Sequence, residues 1–181
     1  MFASPNLKLA LLTCALFVAH PACHAYDALS AEVAGGNRTR LLRLGMQFAS
    51  PHEFKLGANG HVALAWELSA AYFRMHHPTA ENADPTSLID IGVTPILRLT
   101  GSERIGLYAE AGIGLHGMSR RYSNNGRELS TNLQFASHLG VGYECANGLD
   151  LYLNIQHISN GGVKRPNDGV NFVALRLMQR F

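Results

Sequence analysis

The feature that most constrains this chain is a two-residue alternation of apolar and polar side chains, which runs from residue 27 to the last residue. Successive side chains of a β-strand point to opposite faces, so this alternation predicts strands with one apolar and one polar face. Hardly any segment has helical spacing. The pattern predicts strands over 27–36, 40–49, 61–73, 88–100, 104–116, 132–144, 149–160 and 170–181.

The apolar faces of these segments are unusually long for a water-soluble β-protein. In 61–73, for example, Leu64, Trp66 and Leu68 alternate with Ala65, Glu67 and Ser69. A soluble sandwich rarely sustains such faces, whereas strands of about ten residues suit a bilayer-spanning barrel. Eight strands is the smallest number usual in such barrels, and their side chains fill the interior. We therefore predict an all-β fold, an eight-stranded antiparallel transmembrane β-barrel without a wide pore.

The first 25 residues differ from the rest. An apolar run between Leu7 and Ala19 has one basic residue, Lys8, and the small residues of Cys23-His24-Ala25 follow it. This arrangement predicts a cleaved signal peptide over 1–25 and a barrel over 26–181, with a buried N-terminal helix as the alternative. Without the signal peptide only Cys145 remains, so no internal disulfide is expected. The net charge of +2 does not indicate nucleic acid as a partner.

Barrel closure with both termini in the periplasm makes the connections alternate between the two sides of the membrane. The predicted outer loops are 35–39, 76–87, 117–131 and 160–169, and the predicted inner turns lie near 50–60, 100–104 and 145–148. The alternating last segment ends in Phe181, which resembles the terminal strand signature of outer-membrane proteins. We therefore expect the protein in the outer membrane.

The last predicted hairpin carries polar residues on its lipid-facing side. His157 and Ser159 share the parity of Leu153 and Ile155, and polar groups at membrane depth are functional candidates because lipid offers them no water. The alternative is that both are merely tolerated in the headgroup zone. Residues i and i+2 of a strand lie about 7 Å apart on one face, and a histidine can take the proton of a serine hydroxyl. Asn171, outward on the next strand, is the predicted partner that orients the imidazole.

The segment 157–169, HISNGGVKRPNDG, resembles the HxSNxGxxxPNxG motif of the outer-membrane lipid A 3-O-deacylase (PagL) family. The segment 108–114, YAEAGIG, is also similar to that family's pattern. The resemblance implies a Ser hydrolase triad on the outer wall of an eight-stranded barrel, with Ser159 as nucleophile and His157 as base. A known relative has a carboxylate where this chain has Asn171, and an amide stabilises an imidazolium less, so slower turnover is expected. Asp168 is the alternative acidic partner.

Further residues of this hairpin and of the outer loops are predicted to assist. Backbone amides near Asn160 and Gly162 are predicted to bind the oxyanion, because glycine permits the required turn, and Asn167 is predicted to brace the loop. Basic outer-loop side chains are predicted to contact lipid A phosphates, with a generic basic rim as the alternative: Arg120, Arg121, Arg127, Lys164 and Arg165.

The sequence thus predicts a serine esterase that removes the 3-hydroxyacyl chain at position 3 of lipid A. It predicts no cofactor and no metal, since no motif such as HExxH occurs, and it allows a homodimer. The alternatives are a non-enzymatic structural or adhesin barrel and an acyltransferase. The charged residues that face inward by parity are predicted to form a structural ion-pair network: Glu67, Asp90, Arg98, Glu110, His138 and Glu144.

Overall fold

The computed structural model describes residues 26–76, 86–103 and 105–181. Eight strands close into one antiparallel barrel in the order β1-β2-β3-β4-β5-β8-β9-β10, and β10 pairs with β1. The predicted all-β barrel is confirmed. The predicted signal peptide lies outside the described residues. The strands are β1 (Ala28–Gly36), β2 (Thr39–Leu56), β3 (Gly60–Met75), β4 (Thr86–Thr100), β5 (Gly106–Met118), β6 (Ser123–Asn124), β7 (Arg127–Glu128), β8 (Leu133–Glu144), β9 (Leu149–Ser159) and β10 (Val170–Arg180).

The outer wall of the barrel is apolar along every strand. Leu107, Ile91 and Ile155 are 76%, 62% and 61% exposed, whereas their sequence neighbours Tyr108 and Gln156 are buried inside. An exposed apolar surface of this extent marks a membrane or protein contact. In the part of the chain that the structure describes, no helix is long and apolar enough to cross a membrane.

We name the two ends of the barrel after the connections that they carry. The loop end carries the connections 37–38, 76–85, 119–132 and 160–169, and the turn end carries 57–59, 101–105 and 145–148. The turn predicted near 50–60 is present but shorter, at 57–59, because β2 continues to Leu56 and β3 begins at Gly60. A register shift between Ala49 and Glu53 interrupts their pairing. Pro51 lies in this bulge, and a proline that cannot join the ladder imitates a turn in the sequence pattern.

Towards the turn end, ion pairs fill the barrel interior. Arg98 contacts Glu110, Glu144 and Asp150 at 2.9, 2.9 and 2.8 Å, and Arg176 contacts Glu110 at 2.7 Å. Buried charges of this kind are tolerated only when they are paired. The predicted network is therefore present for most of its members.

The prediction fails for one member of the network. Asp90 binds His116 Nδ1 at 2.8 Å instead, and the other ring nitrogen of that histidine lies 3.2 Å from Thr94 Oγ1. These three side chains are all buried. They form a separate polar cluster on β4 and β5.

At the loop end an apolar plug closes the barrel. The connection between β5 and β8, which contains the β6–β7 hairpin, inserts Tyr122 and Leu129, each 1% exposed. The Tyr122 hydroxyl lies 2.7 Å from Thr39 Oγ1, across the mouth. The plug consists of these residues and buried side chains of the surrounding strands, among them Phe73, Met75, Ile158, Val170 and Phe172.

Candidate active site

His157 and Asn171 form a hydrogen-bonded pair on the outer wall. They are directly opposed in the β9–β10 register, and His157 Nδ1 lies 2.7 Å from Asn171 Oδ1. Both side chains are exposed, because their neighbours Ile158 and Val170 point into the plug. The predicted outward placement of this pair is confirmed.

The partner atom of this hydrogen bond determines which tautomer of the imidazole is present. A carbonyl oxygen only accepts, so His157 Nδ1 donates its proton to Asn171 Oδ1. In the neutral ring Nε2 then carries a lone pair and can accept a proton. This is the arrangement that a general base requires.

Ser159 lies two residues further along β9, on the same outward face. It is half-buried and pairs with Phe135 of β8. Among the described residues no hydrogen bond joins its Oγ to the imidazole of His157. The geometry therefore brings the serine beside the histidine without the direct bond that a prepared nucleophile makes, although such bonds often tighten only when substrate binds.

A glycine covers one face of the histidine ring. Gly169 adopts a φ of 63°, and a Cβ built on it would lie 2.6 Å from His157 Cε1. Arg127, on β7, donates from Nη1 to the carbonyls of Asp168 and Gly169 at 2.7 and 3.0 Å. This guanidinium holds the backbone above the imidazole, and the predicted contact of Arg127 with phosphate stays a prediction.

The side chain of Asp168 is also engaged by the β6–β7 hairpin. Its Oδ2 accepts the backbone amide of Glu128 at 2.7 Å, and its own amide donates to the Glu128 carbonyl at 3.1 Å. The neighbouring residues Leu129 and Asn167 form a β-bridge. Asp168 thus links the β6–β7 hairpin to the 160–169 connection. The alternative prediction that Asp168 orients His157 is wrong, because the imidazole is hydrogen-bonded to Asn171.

Asn160 organises the connection that follows Ser159. It is 2% exposed, its amide donates to Asn167 Oδ1 at 2.9 Å, and its Oδ1 accepts the amide of Gly162 at 3.0 Å. Its Nδ2 donates to the Lys164 carbonyl at 2.7 Å. The predicted bracing by Asn167 agrees with these contacts. The amides of Asn160 and Gly162 themselves are already used inside the loop, and an oxyanion donor near these two residues stays a prediction.

An open groove of about 630 Å³ runs along the outer wall beside the pair. His157 and Asn171 both line it. The remaining lining comes from β1, β8, β9 and β10: Gly35, Gly36, Ser137, His138, Leu139, Ile155, Gln156, Phe172 and Val173.

The four loop residues predicted to contact phosphate, Arg120, Arg121, Lys164 and Arg165, are all exposed at the loop end. Arg121 and Arg165 each line a shallow recess that also includes Pro166. Their contact with phosphate stays a prediction. Within residues 26–76, 86–103 and 105–181, no group of three His, Cys, Asp or Glu side chains is arranged to hold a metal ion.

The fold is that of a small outer-membrane β-barrel, and its distinguishing feature is a polar pair in a lipid-facing groove. The sequence model of the family described as "Lipid A 3-O-deacylase (PagL)" matches residues 40–180. The chain belongs to this family. The resemblance that the last hairpin indicated is therefore confirmed.

Two curated relatives support the assignment. The lipid A deacylase PagL of Bordetella bronchiseptica is 27% identical over 171 residues, which cover 94% of this chain and 90% of the relative. The lipid A deacylase PagL of Pseudomonas aeruginosa is 28% identical over 169 residues, which cover 93% and 94%.

Solved structures agree on the fold. The crystal structure of the outer membrane enzyme PagL superposes with a TM-score of 0.75 at 22% identity and covers 85% of this chain and 99% of its own. Yersinia pestis Ail in a phospholipid nanodisc gives a TM-score of 0.50 at 13% identity, with 87% and 100% covered. The protein is an outer-membrane barrel.

Sequence reasoning missed the contribution of the β6–β7 hairpin. Arg127 and Ser130 donate to backbone carbonyls of the 160–169 connection, and the Glu128 amide donates to the side chain of Asp168. Backbone acceptors leave no residue pattern, so the sequence holds no direct signal for these contacts. The only hint was the length of the 117–131 connection, which exceeds what a plain turn needs.

Proposed function

We propose that this protein is a lipid A 3-O-deacylase, a serine esterase that hydrolyses the ester-linked 3-hydroxyacyl chain at position 3 of lipid A. One observation carries the proposal: His157 and Asn171 are hydrogen-bonded on the lipid-facing wall beside Ser159, with the ring nitrogen Nε2 left to act as a base. Membership of the lipid A 3-O-deacylase family and the names of both relatives support it.

The proposed reaction has two halves. Ser159 Oγ attacks the ester carbonyl while His157 Nε2 takes its proton, and the tetrahedral intermediate then expels the sugar 3-hydroxyl, which receives that proton from the imidazolium. A water then attacks the acyl-enzyme with the same base, which releases the 3-hydroxy fatty acid and restores Ser159. The groove lies open to the bilayer, so the substrate enters laterally from the outer leaflet, and the chemistry needs no cofactor.

Asn171 orients the imidazole but carries no charge. During attack His157 becomes an imidazolium, which a carboxylate would stabilise more than an amide does. We therefore propose that the orientation of the imidazole by the third residue is retained while the electrostatic contribution of that residue is reduced. Turnover should be slower than in a relative that has a carboxylate at this position.

The oxyanion must be stabilised by donors that are free. In the described part of the chain, the amide of Gly161 has no hydrogen-bond partner, and it lies between the occupied amides of Asn160 and Gly162. We propose Gly161 N–H as the oxyanion donor. The exposed side chains of Arg120, Arg121, Lys164 and Arg165 are proposed to hold lipid A phosphate from the loops.

The decisive test is mass spectrometry of lipid A from outer membranes that contain the protein or its Ser159→Ala variant. We expect the loss of one 3-hydroxyacyl chain with the wild type only. Loss of activity in the variant should exceed about a thousandfold, as for nucleophiles of other hydrolases. Heat-modifiable migration in electrophoresis would verify that both barrels are folded.

Two other outcomes would contradict the proposal. Identical spectra from two folded barrels would favour a structural or adhesin barrel. Loss of the acyl chain only when a second lipid acceptor is supplied, with a matching gain in the mass of that acceptor, would favour an acyltransferase.

A further inference from the structure

Two arginines face each other on the outer wall at the loop end of β2 and β3. Arg40 and Arg74 are directly opposed in the β2–β3 register, and both side chains are exposed. Arg38, in the two-residue turn before β2, is a third exposed arginine, and its carbonyl accepts the amide of His76 at 3.2 Å. Three guanidinium groups are therefore gathered on one side of the barrel rim.

These three charges are not neutralised within the described residues, where no acidic side chain lies at salt-bridge distance from any of them. The inward arginines Arg43 and Arg176 differ, since each has a carboxylate at 2.7 Å. Like charges directly opposite each other destabilise a sheet, and arginine on the lipid face is costly unless it lies near the headgroups. Among the described residues no carboxylate offsets the repulsion of the opposed pair, and a bound anion would offset it.

A recess joins Arg38 and Arg40 to the groove beside His157, and Arg74 lies opposite Arg40 in the β2–β3 register. The recess measures about 440 Å³ and is lined by Arg38, Arg40, Thr39, His76 and the β1 residues Gly35 and Gly36. The same two glycines line the groove beside His157 and Asn171. A Cβ on Gly35 would meet nothing within 4 Å, so the space between the two sites is open.

The two sites lie close together on the outer wall. β1 lies between β10, which carries Asn171, and β2, which carries Arg40. Arg40 pairs with Gly35, and Gly35 pairs with Val173, two residues from Asn171. At the usual strand spacing of about 4.8 Å and rise of about 3.4 Å per residue, Arg40 lies roughly 12 Å from Asn171 and roughly 16 Å from His157.

We propose that Arg40 and Arg74, assisted by Arg38, bind a phosphate monoester of the lipid whose ester occupies the catalytic groove. Guanidinium binds phosphate through paired hydrogen bonds, and a dianion offsets the repulsion of the opposed pair. The inference rests on the proposed function, because that function places a phosphorylated glycolipid in the groove. The loop residues predicted from the sequence lie in other connections, 119–132 and 160–169, so this site is separate from them.

The test is steady-state hydrolysis of lipid A in detergent micelles by the wild type and by the Arg40→Gln/Arg74→Gln variant. With phosphorylated lipid A we expect KM to rise about tenfold or more, the effect of losing charge-assisted hydrogen bonds, while kcat changes less than about twofold. With dephosphorylated lipid A the two proteins should have equal KM. The Lys55→Gln variant, which removes an exposed charge at the turn end, should match the wild type on both substrates.

Either of two kinetic results would overturn the proposal: an unchanged KM on phosphorylated lipid A, or an equal rise on both substrates. The Arg40→Lys/Arg74→Lys variant keeps the charge but loses the paired hydrogen bonds, so its KM should be intermediate. The unfolding midpoint of the glutamine variant in lipid-free micelles should not fall, because the substitution removes a repulsion.

Two further measurements are needed. The first shows whether the phosphate belongs to the substrate or to a neighbouring lipid, and the second tests the phosphate site independently of the proposed deacylase activity. A KM effect that appears only in vesicles rich in other phosphorylated glycolipids would assign the arginines to neighbouring lipids and overturn the assignment to the substrate. Equilibrium binding of lipid A to the Ser159→Ala form needs no turnover. Binding that depends on the arginines, together with an inactive wild type, would leave the phosphate site intact and reject the deacylase.

Discussion

The two ends of the barrel interior are filled in opposite ways. Towards the turn end, Arg98 and Arg176 share the carboxylate of Glu110, whereas at the loop end the rings of Phe73 and Phe172 meet with their centroids 5.8 Å apart. The His157–Asn171 pair lies on the outer wall of the second region only. An apolar backing offers no hydrogen bonds that would compete for His157 or Asn171, so the plug supports the outer wall without disturbing its polar groups.

Two substitutions on β10 test the difference between the ion-paired turn end and the apolar loop end, and they should have the largest effects. Arg176→Ala removes one buried partner of Glu110 and should lower the free energy of unfolding by about 3 to 5 kcal/mol. It should change kcat of the folded barrel little.

Phe172→Ala should also lower the free energy of unfolding by about 3 to 5 kcal/mol. It should reduce kcat as well, because Phe172 lies between Asn171 and Val173 in the wall. Urea unfolding in micelles and the specific activity of folded protein measure both effects. Equal losses of kcat in the two variants would show that the ends do not differ in function.

Asn171→Glu tests whether the missing negative charge opposite His157 limits the reaction. A carboxylate opposite His157 would keep the hydrogen bond and stabilise the imidazolium, so we expect kcat to rise about tenfold or more. Hydrolysis of lipid A over a range of pH measures it, with Asn171→Gln as the control of equal length and no charge. A glutamate variant no faster than the glutamine variant would mean that charge at this position does not limit the reaction.

Arg127→Ala should have the smallest effect. It frees the carbonyls of Asp168 and Gly169, so the backbone above the imidazole gains freedom, and kcat should fall several-fold for a loss of about 1 kcal/mol. KM should stay within about twofold of the wild type. Arg120→Ala is the matched comparison, because a loop arginine that holds phosphate changes KM. If Arg127→Ala raises KM and leaves kcat unchanged, Arg127 binds lipid A phosphate, as the sequence predicted.

The barrel could be predicted from the sequence because its physics is local. Alternation sets the face of each side chain, so Leu153, Ile155 and His157 had to share the outward face, and Asn171 followed from the same rule on the next strand. The bulge at Pro51 was misread because a break in alternation looks the same whether the chain turns or continues.

The details of the site depended on contacts between distant segments. Asn160 and Gly162 were correctly placed in the critical connection, but their amides are used by Asn167 and by Asn160 itself. The hydrogen bond from Arg127 to the Gly169 carbonyl joins residues that are 42 positions apart in the sequence. Which donor meets which acceptor was settled by the folded loops, and residue types alone do not encode it.

The outward-facing pair has a consequence for how such an enzyme responds to its surroundings. A reaction centre inside a cleft has protein on every side, whereas the groove of His157 is bounded by protein on one side and by the leaflet on the other. The missing half of the enclosure is therefore fluid. For the proposed deacylase, substrate arrives by diffusion in two dimensions, so surface density and the packing order of the leaflet take the place that bulk concentration has for a soluble enzyme.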